Sequence, residues 1–184
     1  MNKLGIFLAM GAIAALAPAT SFAYDAQINL SGVLTASTCV INAPNGTAVI
    51  GDFPVSAFTG IGSHSDWGKG DLVINLDCAG IASKVTVSLT DATTPGNTSN
   101  ILSLTPSSTA RGIGIEVWQA SHDIYVYGPD TKTPGAPNQH LVFVGNGSAT
   151  QLATLNFSVR YVQTANTVTP GSANGAATYT LQYQ

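Results

Sequence analysis

Ser63, His64 and Asp66 stand together in the run SHSD, the residue types of a nucleophilic hydrolase. Side chains this close along a chain cannot all turn to one point, and triad members converge from separate segments, so the run reads as a polar turn. His122 and His140 lie in turn-rich stretches without metal-ligand spacing. Gly68-Lys69-Gly70 lacks both the spacing and the following Ser or Thr of a phosphate loop. Trp67 and Trp118 are the types that form a sugar-stacking platform, but both sit at strand boundaries, where large residues cover the rim of a core. The sequons at Asn45, Asn97, Asn146 and Asn156 are what a chain rich in Asn, Ser and Thr produces by chance. The expectation is a protein that is not an enzyme and that carries no metal and no cofactor.

The elements that would position any site are strands. Leu72, Ile74, Leu76 and Cys78 alternate on one face, as do Val85, Val87 and Leu89, then Ile113, Ile115 and Val117, then Leu155, Phe157, Val159 and Tyr161. Turn-forming clusters separate them from Thr93, from Tyr127 and from Gly145, and no helical periodicity follows residue 23. The class is all-β, a sandwich. With 45% apolar and 8% charged residues, the composition excludes disorder.

Residues 1–23 read as a secretory signal peptide: Lys3, then an apolar run from Leu4 to Ala17, then Pro18 and the small-residue pattern Ser21-Phe22-Ala23. Loss of Lys3 leaves five basic against nine acidic residues and no basic cluster, which argues against nucleic acid and anionic lipid as partners. In an exported chain, Cys39 and Cys78 most simply form one disulfide, contributing about 4 kcal/mol by loop entropy.

Near the end of the sequence, Ala177, Tyr179, Leu181 and Tyr183 alternate in a strand that runs to Gln184. Such a strand needs a neighbour on each side, and no later residue supplies the second. At the other end, Ala26, Ile28, Leu30, Gly32 and Leu34 alternate ahead of Cys39 and read as a detachable strand.

Together these ends resemble the subunits of chaperone-usher fimbriae. Pilins of that family carry a glycine fourteenth from the end and a penultimate tyrosine, and here Gly171 and Tyr183 occupy those positions. The Cys39 and Cys78 pair, the latter closing DLVINLDC, fits as well. The resemblance implies an immunoglobulin-like sandwich lacking its last, seventh strand and completed by a donor strand from another chain. It divides the chain into an N-terminal donor-strand extension, 24–35, and a pilin domain, 36–184. Ala26, Ile28, Leu30, Gly32 and Leu34 would be the donor face. Gly171, Ala177, Tyr179, Leu181, Tyr183 and Gln184 would form the terminal strand beside the groove, which a periplasmic chaperone binds.

The implied function is a structural subunit of an adhesive fimbria, exported through the periplasm to the cell surface, with the chaperone, an outer-membrane usher and neighbouring pilin subunits as partners. The short stretch before Gly32 resembles the minor tip-fibrillum subunits of type 1 fimbriae; a major rod pilin is the alternative. A self-contained secreted β-sandwich binding domain is the alternative of another class.

Overall fold

The computed structural model describes residues 27–33, 39–42, 45–68, 71–119, 124–131 and 133–184. Within them the alternating segments become strands: β1 (Gln27–Val33), β2 (Val40–Asn42), β3 (Gly46–Val49), β4 (Leu72–Asp77), β5 (Lys84–Asp91), β6 (Ile113–Gln119), β7 (Gln139–Val144), β8 (Leu152–Gln163) and β9 (Gly175–Tyr183). One 3-10 turn, Val55–Ala57, is the sole helical element among these residues. No helix of the described residues is long and apolar enough to cross a membrane.

Two sheets form, a five-stranded one in the order β3-β1-β9-β5-β7 and a four-stranded one in the order β2-β4-β8-β6. Period-two alternation turns one side of each strand inward. Ile74 and Leu76 of β4, Ile115 and Val117 of β6 and Leu155 and Phe157 of β8 face Val85, Val87 and Leu89 of β5 and Tyr179 of β9 across a shared core. The all-β sandwich expected from the alternation is the fold observed.

β8 serves two neighbours in turn. Its first half pairs with β4 and its second half with β6. Where β4 leaves, the segment from Gly62 to Gly68 takes over that edge: the N–H groups of Gly62, Ser65 and Gly68 donate to the carbonyls of Gln163, Tyr161 and Val159 at 2.8, 3.0 and 2.8 Å. The Cys39–Cys78 disulfide is present, and both cysteines are fully buried. It ties the approach to β2 to the exit from β4.

Asp91, at the end of β5, is buried and organises the loop that follows. One carboxylate oxygen accepts from the N–H groups of Thr93 and Thr94, and the other from Asn97 Nδ2 and the Ser103 N–H. Burial pushes this carboxyl up, but the hydrogen bonds from Asn97, Ser103 and Thr94 outweigh it and hold the group below its ordinary value.

Candidate functional site

The residues that could have done hydrolytic chemistry are turned apart. Ser63 Oγ donates to Gln163 Oε1 at 3.1 Å, whereas His64 Nε2 meets Glu116 at 3.1 Å. Ser65, between His64 and Asp66, accepts from the Tyr161 N–H. His140 packs against the Tyr125 ring at 4.4 Å between centroids, while His122 and Lys69 lie outside the described residues. No group of three metal-ligating side chains occurs among the described residues.

Sequence reasoning left Trp67 and Trp118 as separate rim residues, and the structure brings them together with ring centroids 4.5 Å apart. Arg160 lies over the Trp67 ring at 4.4 Å and pairs with the buried Glu116 carboxylate, which also accepts from Asn100 Nδ2. Every oxygen of Glu116 thus has a protein partner, as a buried carboxylate requires. The cluster braces the Gly62–Gly68 segment against β6 and β8.

The site with an unusual construction is the position beside β9. On one side β9 pairs antiparallel with β5 from Ala177 to Tyr183. On the other it pairs parallel with β1, in the register Ile28 to Gly175, Leu30 to Ala177 and Gly32 to Tyr179. β1 in turn pairs antiparallel with β3, Ile28 opposite Ala48 and Leu30 opposite Gly46. Ile28 is 0% exposed and Leu30 1%. The terminal strand therefore has two neighbours, contrary to the expectation of an edge left open. The segment that sequence reasoning set aside as a filler for another chain fills this chain's own groove. Ala26 and Leu34 lie outside the described residues.

Leu30 fits because its neighbours are small. Ala177 flanks it on β9 and Gly46 on β3, so its side chain occupies space that neither can reach. The Leu72 side chain fills the space above Gly46, where a Cβ would meet its Cδ1. Two side-chain bonds dress the strand: Asn174 Oδ1 accepts from the Gln27 N–H at 3.1 Å, and Thr47 Oγ1 donates to Asn29 Oδ1 at 3.0 Å. A cleft of about 400 Å³ opens where β1 meets β3, lined by Asn29, Ser31, Asn45 and Thr47.

Ala177, Tyr179 and Leu181 point into the core as expected from their alternation. Tyr183 is half-buried, and its hydroxyl accepts from the Cys39 N–H at 3.1 Å, which fastens the disulfide corner to the end of β9. Burial pushes the Tyr183 hydroxyl above its ordinary pKa, with the Cys39 bond acting against it. The backbone of Gln184 exchanges two hydrogen bonds with Lys84, each 2.8 Å. Gly171 lies before the strand rather than within it. A Cβ there would overlap Thr109 Oγ1 and come within 2.6 Å of the Ala110 nitrogen, at a φ of 157° that side chains rarely adopt.

Residues 28–184 match the family described as fimbrial protein. The chain belongs to that family. The resemblance read from Gly171, Tyr183 and the cysteine pair is thereby borne out. Over 97% of its length the chain is 29% identical to the fimbrial subunit type 1 of Salmonella typhimurium, covering 93% of that protein. It is 37% identical over 117 residues to the F17c-G fimbrial adhesin of Escherichia coli, where the match takes in 62% of the chain. The chain spans 33% of the length of that adhesin. Its fold resembles that of the CupB6 tip adhesin of Pseudomonas aeruginosa, with a TM-score of 0.50 at 18% identity over 70% of the chain and 36% of the adhesin.

β3 is the functional element that sequence reasoning missed. Its four residues, GTAV, are too few to display a period, and its only visible feature was a sequon.

Proposed function

We propose that this fimbrial protein is a structural subunit of a cell-surface adhesive fibre, joined to its neighbours by strand exchange. β1 leaves its own groove and the Ile28 and Leu30 face enters the groove of the next subunit, between that copy's β3 and β9. The observation that carries this reading is the position of β1. It is a segment near the start of the chain, inserted between two strands that do not otherwise pair, and nothing of the sandwich is threaded through it. A strand so placed can be removed and replaced by an equivalent strand from another chain, which is recognition by strand addition.

Burial of Ile28 and Leu30 contributes about 3 to 6 kcal/mol to such a joint, before ordering costs and the backbone ladder. On this reading, residues 1–23 direct export, a periplasmic chaperone holds the groove in transit, and an outer-membrane usher receives the subunit. The near full-length likeness to a fimbrial subunit supports a shaft or adaptor role over that of a whole adhesin. The short stretch before Gly32 favours a minor adaptor over a major rod pilin.

The test is self-association. Purified subunit, incubated at rising concentration near its unfolding midpoint and then returned to native conditions, is expected to form a ladder of multimers on size-exclusion chromatography with light scattering. Leu30→Glu, which places a charge in the joint, is expected to abolish the ladder. Wild-type subunit that stays monomeric throughout, with or without a co-expressed chaperone, rules out strand exchange.

A further inference from the structure

Three Asn-Gly pairs occur in the chain: Asn45-Gly46, Asn146-Gly147 and Asn174-Gly175. In such a pair the backbone can attack the side chain before it. The glycine nitrogen adds to the asparagine Cγ, and with no Cβ the glycine leaves that approach open. Ammonia departs as a five-membered succinimide closes, and water then opens the ring to aspartate or isoaspartate. The step needs the glycine nitrogen released from its hydrogen bond and the asparagine backbone free to turn, so local opening decides which pair reacts.

Two of the pairs are pinned by the sandwich itself. The Gly147 N–H donates to the Ile81 carbonyl at 2.9 Å, the Asn146 N–H donates to Gln151 Oε1 at 2.8 Å, and Asn146 Oδ1 accepts from the Ser148 N–H at 3.0 Å. The Asn174 N–H donates to Ser108 Oγ at 2.9 Å, and its carbonyl accepts from the Thr105 N–H at 2.7 Å. These bonds stand without β1, and the Gln27 bond to the Asn174 side chain only adds to them.

The third pair is held through β1. Backbone groups of successive residues turn to opposite sides of a strand. The Gln27 N–H turns toward Asn174 at the head of β9, so Asn29 turns that way too, and Ile28 and Leu30 turn to β3. The Val49 carbonyl fits this alternation, since it lies beside Gly68. Leu30 and Gly46 are thus a hydrogen-bonded pair, the last of the β1–β3 ladder, and the Gly46 N–H is tied to a carbonyl of β1. Asn45 is exposed at the cleft where β1 meets β3.

We propose that Asn45 is a site of spontaneous deamidation governed by β1: the strand in place holds the Gly46 nitrogen and keeps the site slow, and loosening of β1 releases it to close the succinimide. Either product sets a carboxylate beside Asn29 and Thr47. Isoaspartate also lengthens the backbone ahead of Gly46, which moves it out of register with Leu30. A groove left without its strand therefore ages into one that holds a strand less well. This needs only the single chain and does not depend on strand exchange between subunits.

The test incubates wild-type subunit at mildly alkaline pH in heavy-oxygen water, in buffer and in concentrated urea, and follows each Asn-Gly peptide by mass spectrometry. In buffer Asn45 is expected to convert at least about tenfold more slowly than in urea. Leu30→Ala loosens β1 and is expected to speed Asn45 at least about fivefold, with Asn146 and Asn174 unchanged. Those two sites are the control for global unfolding, which speeds all three together. Leu30→Val, a smaller loss of packing, is expected to give the same selective acceleration at lower amplitude. Equal Asn45 rates in buffer and urea, no acceleration in the Leu30 variants, or an acceleration shared in proportion by Asn146 and Asn174 each overturns the inference.

Discussion

Replacing Leu30 with alanine asks whether β1 belongs to the fold of the isolated subunit. Leu30 is 1% exposed and is flanked in its sheet by Gly46 and Ala177, neither of which can lean into the space it vacates. Leu→Ala at buried sites costs about 2 to 5 kcal/mol, the upper part of the range where the surroundings cannot collapse. A loss of about 3 to 5 kcal/mol is expected here. With a urea dependence of about 1 to 3 kcal/mol per molar, the unfolding midpoint falls by at least about 1 M. Gln27→Ala, on the same strand but exposed, serves as the control and is expected to change stability by less than about 0.5 kcal/mol. The assay is urea denaturation of purified, chaperone-free monomer followed by far-ultraviolet circular dichroism. A Leu30→Ala midpoint equal to wild type would show that β1 lies outside the monomer's core, contrary to its place between β3 and β9.

Asp91 makes stability depend on acid. Its folded pKa is held below the ordinary 3.8, so its contribution is fully present above about pH 4 and is lost as pH falls through the folded value. Asp91→Asn, which presents an amide N–H where Asn97 and Ser103 need an acceptor, is expected to cost about 1 to 3 kcal/mol at neutral pH and to flatten the acid limb of a stability-against-pH curve; an unchanged acid limb would refute this. Gly171→Ala forces a methyl group into Thr109 and Ala110 and is expected to cost about 1 to 3 kcal/mol, read as a lower melting temperature, with a wild-type melt counting against the packing role.

Long strands with one buried face were legible in the sequence. The faces read from β4, β5, β6 and β8 are buried, because alternation over six or more residues records which side meets the core, although in β5 and β6 the opposite face is covered as well, with Thr86, Ser88 and Glu116 buried on it. Alternation records a face but not a partner. The pattern at Ile28 and Leu30 announced a strand with a core to fill, and nothing in it distinguished this chain's core from another's. What decides it is the register of β1 between β3 and β9, which exists only once the sheet is assembled. The Glu116 cluster was hidden for a related reason: His64, Asn100, Glu116 and Arg160 lie far apart in sequence and meet because the β6–β8 pairing sets Glu116 opposite Arg160 and the Gly62–Gly68 segment brings His64 beside them.

The pairing of Trp67 with Trp118 has an optical consequence. These are the chain's only two tryptophans, and they sit together on β6 and the segment beside β8, in the sheet that does not contain β1. Their fluorescence reports first on the collapse of that sheet, and the withdrawal of β1 reaches them only through β3, whose end at Val49 lies against Gly68 beside Trp67. Tyr179 lies opposite Gly32 of β1, so near-ultraviolet dichroism of the tyrosines registers that event directly. A subunit that opens its groove would change more through one chromophore than through the other, and the interval between the two signals would time the opening.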